Sequence, residues 1–107
     1  MDPIVNLERL LAKGQDNAML RFGLANAYVQ QGNLAQAILH ARKALDLDPT
    51  YSAAWKLYGR ALADLRNFDE AVAAYTAGIE AADKKGDVQA AKEMRVFLKR
   101  LQKEAEL

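Results

Sequence analysis

Hydrophobic residues in this chain recur three and four positions apart, the spacing that gathers them on one side of a helix, and short polar joints interrupt the series at regular intervals. Asp2-Pro3 is a helix opening: the carboxylate caps free backbone N–H groups, and proline suits the first helical position, where its missing donor costs nothing. Ile4, Leu7 and Leu11 then share a face, with Leu10 beside them, until Lys13-Gly14 closes the segment. Asp16 or Asn17 caps a second helix that carries Leu20, Leu24, Ala27, Tyr28 and Gln31 along one side and stops at Gly32.

Asn33 opens the third helix, with Gln36 three residues later in a capping-box arrangement. Its apolar stripe is Leu34, Ala37, Ile38, Ala41, Ala44 and Leu45, and Asp48-Pro49 ends it, because the proline ring disfavours helical geometry in the residue before it. The spacing predicts a fourth helix opened by Thr50 and bearing Trp55, Tyr58, Gly59 and Leu62. After Arg66, Asn67 and Glu70 repeat the capping box ahead of Phe68, Ala71, Val72, Tyr75 and Ile79, and Lys84-Lys85-Gly86 closes the fifth helix. Asp87 caps a sixth, running to about Glu104, with Val88, Ala91, Met94, Leu98 and Leu101 as its buried edge. No segment reads as a strand, so the fold class is all-α, and joints this short make neighbouring helices antiparallel hairpins.

Shifting the chain by 34 residues superposes chemically matched positions: Leu24 on Tyr58, Ala25 on Gly59, Ala27 on Ala61, Tyr28 on Leu62, Asn33 on Asn67, Ala37 on Ala71 and Leu45 on Ile79. Size and polarity are kept more than identity, as expected where a packing slot is repeated. Trp55, Tyr58-Gly59, Leu62, Ala71 and Tyr75 in the second copy, and Leu24-Ala25, Tyr28, Ala37 and Pro49 in the first, resemble the tetratricopeptide repeat signature. The first copy departs from it at Arg21, where the signature has Trp, and at Ala41, where it has an aromatic; the second ends on Asp83 rather than proline. The resemblance implies a right-handed α-solenoid of about six helices in one domain spanning 1–107, with 3–13 an N-terminal capping helix, 17–49 repeat one, 50–84 repeat two and 87–105 a C-terminal capping helix. It implies that Ala25 and Gly59 are small so that the paired helix can approach, with Ala37 and Ala71 the surfaces that meet them.

Composition narrows the function. Hydrophobic residues form 51% of the 107, enough for a packed core. Fifteen basic residues against fourteen acidic leave a formal charge of +1, so there is no whole-molecule field to draw in nucleic acid or an anionic membrane. No cysteine is present, which removes disulfides, thiol nucleophiles and zinc–thiolate sites. The opening MDPIVNLERLLAKGQ lacks a signal-peptide apolar run and no stretch reaches membrane-span length, so the cytoplasm is the expected compartment. His40, the sole histidine, lies near Arg42 and Lys43 and reads as a surface or boundary residue. No Ser/His/Asp set, phosphate-cradling loop or metal-ligand spacing is visible, so neither an enzyme activity, a cofactor nor a metal is expected.

Function is therefore expected in binding. In the resembled family the first helix of each pair lines the concave face and holds an extended peptide or a partner's helix. On this chain those positions are Met19, Phe22, Asn26 and Val29 in the first copy and Ala53, Lys56, Arg60 and Ala63 in the second. The candidate partner-binding groove is Met19, Phe22, Asn26, Val29, Lys56 and Arg60: an apolar anchor on Phe22, with Lys56, Arg60 and the Asn26 amide facing a carboxylate or carbonyl. The two-carboxylate clamp of chaperone-binding members is not reproduced, since only Asn26 matches it, while Phe22, Leu57, Asp87 and Ala91 do not. The last helix carries Lys92, Arg95, Lys99, Arg100 and Lys103, interrupted by Glu93 and Glu104; it reads as a solvated face, with RNA binding the weaker reading. The expected partner is a protein or peptide bound by a monomer or weak homodimer, the alternative being self-association through this helix.

Overall fold

The computed structural model describes residues 2–105. Within them six helices and no strand are present: α1 (Pro3–Ala12), α2 (Ala18–Gln30), α3 (Leu34–Leu47), α4 (Ser52–Asp64), α5 (Phe68–Lys85) and α6 (Val88–Ala105). The fold is an all-α helical solenoid in which α2/α3 and α4/α5 form hairpins and α6 packs on α5 and α4. The 34-residue period reappears in the helix ends: α2 and α4 begin and stop 34 residues apart, and α3 and α5 begin 34 apart.

The helix openings follow from local chemistry. Asp2 accepts a hydrogen bond from the Ile4 N–H at 3.0 Å, Asn17 from Leu20 at 2.8 Å and Asn33 from Gln36 at 3.3 Å. Two expected openings differ. Thr50 does not start α4, because the Asp48 carboxylate takes both its N–H, at 3.0 Å, and its hydroxyl, at 2.6 Å. That turn delays the helix to Ser52, with Tyr51 ahead of it and no side-chain cap. Asn67 makes no capping hydrogen bond, unlike Asn33 one period earlier. Just before them, Gly32 and Arg66 hold the same left-handed conformation, φ 76° and φ 62°. Arginine bears a Cβ penalty there that glycine does not, and its guanidinium lies 5.0 Å from the Phe68 ring centroid.

Pro49 and Asp83 are period-equivalent and explain the unequal lengths of α3 and α5. Proline cannot donate to the helical ladder and α3 stops before it, whereas Asp83 lets α5 continue to Lys85, where Gly86 ends it in the left-handed region at φ 81°. In consequence α6 starts two residues beyond where a third 34-residue period would place it. Asp87 caps α6 through the Ala90 N–H at 3.2 Å.

The core is built on small residues against rings. A Cβ added to Gly59 would lie 2.8 Å from Cε1 of Tyr75, and one on Gly78 would lie 2.6 Å from the Trp55 Cβ and 2.7 Å from the Met94 sulfur. Ala71, expected opposite Gly59, is fully buried, and the atoms nearest a Cβ at Gly59 belong to the Tyr75 ring, one turn further along α5. At the equivalent positions of the first hairpin, Ala25 and Ala41 are both fully buried. The α6 edge is Ala91, Met94 and Leu101, with Phe97 and Leu98 half-buried, while Val88 is exposed rather than buried.

His40 is likewise not at the surface; only 4% of it is exposed. Its Nδ1 faces the Arg21 guanidinium at 3.1 Å, its ring stacks on Tyr28 at 5.6 Å, and Nε2 lies 3.7 Å from the Glu8 carboxylate, which accepts the Tyr28 hydroxyl at 3.0 Å. Arg21, in the slot where the repeat signature has Trp, also grips Asp16 with two hydrogen bonds of 2.7 and 2.9 Å. A polar network joining α1, α2 and α3 thus replaces an indole. Arginine can only donate, so Nδ1 accepts and the ring proton sits on Nε2, toward Glu8. Burial pushes the His40 pKa down, and the Arg21 charge pushes the same way, against the opposing pull of Glu8 and Asp16.

Candidate partner-binding groove

Leu24 and Ala25 face the core, which leaves Phe22, Asn26 and Val29 aligned on an adjacent side of α2 at helical spacing. Gly59, Ala61 and Leu62 do the same for α4 and leave Ala53, Lys56, Leu57 and Arg60 on its corresponding side. The two rows line one cleft of about 520 Å³, closed along its other edge by Glu93 and Phe97 of α6 and bounded by Asp64. Five of the six residues expected in a groove are therefore brought together. Met19 is not: it is 75% exposed and lies outside the cleft.

Each wall has a structural anchor. Phe22 is half-buried, its ring 5.1 Å from that of Tyr51 in the α3–α4 joint, so part of its surface is spent on packing. Phe97 stacks at 6.0 Å on Tyr75, the ring that fills the space beside Gly59. Burial raises the Tyr75 phenol to about 12, which keeps it neutral.

The polar groups are not the free cationic row the sequence suggests. Lys56 donates to Glu93 at 2.7 Å across the cleft, and Gln89 donates to the other oxygen of the same carboxylate at 3.0 Å. The hydrogen bond from Lys56, reinforced by that from Gln89 and by the lysine charge, holds Glu93 below the ordinary carboxylate range. Arg60 and Asp64 are exposed and make no ion pair among the described residues. The cleft offers apolar surface from Phe22, Val29, Leu57 and Phe97, flanked by the Asn26 amide and the Arg60 guanidinium. Such a surface suits an extended chain with alternating apolar and polar groups.

Glu93 and Phe97 were not legible as groove residues. Glu93 read as an interruption in a basic face, and the residues expected in the groove all lie on α2 and α4. In the structure α6 presents Glu93 and Phe97, one turn apart, to the cleft. Among the described residues no helix is long and apolar enough to cross a membrane.

The sequence profile of the tetratricopeptide repeat matches residues 29–94. A TPR repeat-containing protein of Pseudomonas aeruginosa, PA0015, is 45% identical over 98 residues, covering 92% of this chain and 93% of that protein. The solution structure of protein BPP2914 from Bordetella parapertussis is 44% identical, with a TM-score of 0.82 over 94% of this chain and 88% of that one. The TPR2B domain of yeast Sti1, solved in a complex with pHsp70, has a TM-score of 0.87 over 94% of this chain and 81% of that one, at 15% identity, a likeness of fold alone. The 34-residue recurrence of helix ends, the small-residue contacts between helices and these matches agree: the chain belongs to the tetratricopeptide repeat family.

Proposed function

We propose that this chain is a non-catalytic, cytoplasmic interaction module that holds a peptide or helix of a partner protein in the groove between α2, α4 and α6. The observation that carries the reading is the continuous cleft lined by Phe22, Asn26, Val29, Lys56 and Arg60, with apolar walls and polar groups at its edges. The structural likeness to a TPR domain solved in a complex with pHsp70 supports an interaction role without naming the partner. In this reading α1 and α6 are end caps on repeats 17–49 and 50–84, and residues 1–107 act as one domain.

Asn26 and Arg60 are exposed, so replacing both with alanine leaves the fold intact while removing the polar recognition groups. The test is capture of partners from the native source by the wild type and by N26A/R60A, with helicity and melting as controls. Equal capture by two equally folded proteins overturns the groove assignment.

The outer face of α6 argues against self-association there. Lys92, Lys99, Arg100 and Lys103 are all exposed on it, and two copies would bring like charges together. A monomer in sedimentation at every concentration is the expected result; reversible dimerisation lost on changing these lysines to glutamine would restore the alternative. Retention on RNA at low salt would favour nucleic-acid binding by the same face, and its absence is expected.

A further inference from the structure

Among the charged residues of α6, Glu93 alone turns into the groove. Lys92, Lys99, Arg100 and Lys103 are exposed, and Arg95 pairs with Asp83 on α5. The Lys56–Glu93 pair is more than one-third exposed on both sides, a setting in which ion pairs contribute little to stability. α6 is held instead by Ala91, Met94 and Leu101, which are buried against α4 and α5. The pair's effect is therefore on the groove: one of its two cations is already occupied by a carboxylate belonging to the chain itself.

We propose that Glu93 is a built-in competitor, holding Lys56 until a partner segment supplies a carboxylate of its own. This rests on the groove reading and adds both a regulating contact and a partner chemistry. With Glu93 displaced, the cleft presents Lys56 and Arg60 against the single acid Asp64, with Leu57 and Phe97 as apolar surface beside them. The complement is an extended segment in which an acidic residue neighbours an apolar one. Lys56 exchanges one carboxylate for another, so its charge is never left unpaired, and Glu93 returns to Gln89 and solvent. Affinity is then lower than the contacts alone would give, because part of the binding surface must first be freed. The contact also selects: a neutral segment cannot displace Glu93 and leaves Lys56 as it was.

The test uses fluorescence anisotropy with two labelled peptides, one alternating leucine and glutamate, the other leucine and lysine. The acidic peptide is expected to bind the wild type and to bind E93Q about two- to fivefold more tightly. K56Q should weaken it, and in K56Q the further change E93Q should have no effect. Binding of the acidic peptide that N26A/R60A weakens but E93Q does not strengthen overturns the competitor while leaving the groove standing. Preference for the basic peptide overturns the assigned chemistry. Acidic-peptide binding indifferent to N26A/R60A, or no binding of either peptide to any variant, overturns the groove reading and the competitor with it. Circular dichroism of each variant separates these outcomes from a loss of α6.

Discussion

The ring of Tyr75 occupies the space that a methyl group on Gly59 would need: the added carbon would sit 2.8 Å from Cε1 and 2.9 Å from Cδ1 and Cζ. Neither atom set can yield freely, because Tyr75 is buried and stacked on Phe97. Gly59→Ala should therefore destabilise the protein by about 1–3 kcal/mol through overpacking, despite alanine's better helix propensity. Tyr75→Ala alone should cost about 3–5 kcal/mol. In that background Gly59→Ala should become neutral or stabilising, as the buried Ala25 and Ala41 of the first hairpin suggest. Urea unfolding of the four proteins gives the coupling; additive effects would remove the steric account.

His40 should make stability depend on pH. Its pKa is lowered in the fold by burial and then by Arg21, so the native state holds the ring neutral while the unfolded chain protonates near pH 6.5. Stability is thus fully present above pH 6.5 and declines as the pH falls below it, by at most about 1.4 kcal/mol per pH unit, until the native ring also titrates. Glu8 and Asp16 face the ring and moderate the loss. Urea midpoints between pH 7.5 and 5 should fall for the wild type and fall less for His40→Gln; parallel curves would show that the histidine is not responsible.

The left-handed positions before α3 and α5 should respond oppositely to substitution. Gly32→Ala places a Cβ at φ 76° and should cost about 1 kcal/mol. Arg66→Gly relieves the same strain at φ 62° and should gain about 0.5 kcal/mol, the gain reduced by loss of the guanidinium–Phe68 contact. Thermal unfolding of both variants decides, and a stabilised Gly32→Ala would exclude backbone strain as the cause.

Phe22→Ala should damage the fold as well as the groove. The side chain is half-buried against Tyr51 and the cluster around Ala44, Leu45 and Ala54, so the truncation should cost about 1–2 kcal/mol. Arg60→Ala should stay within about 0.5 kcal/mol of wild type. If Phe22→Ala unfolds at the wild-type midpoint, the ring is free for a ligand over its whole surface.

Period and polarity carry the architecture because they report which side of a helix is buried; the 34-residue recurrence was sufficient to place α2 to α5. They do not report which atoms meet across helices. Gly59 could be read as a close contact, but that the Tyr75 ring fills the space a Cβ there would need depends on the crossing itself. His40 looked like a surface residue because its sequence neighbours are basic, whereas its partners Glu8, Arg21 and Tyr28 come from two other helices. At Thr50 the obstacle was local, since Asp48 captured both donors that would have favoured an earlier start. For the groove, counting along α2 and α4 reached five residues that line one cleft, whereas Glu93 and Phe97 enter it from α6, whose approach depends on how that helix packs on α4 and α5.

The continuation of α5 to Lys85 makes the molecule's last segment sensitive to spacing rather than to composition. Two residues correspond to roughly 200° of helical rotation. Removing two residues from the last turn of α5 would move the start of α6 by that angle around α5 and carry Met94 and Leu101 away from the α4 and α5 surfaces that bury them. The end of α5 thus works like the notch on a key: shift it, and the same side chains no longer fit the lock.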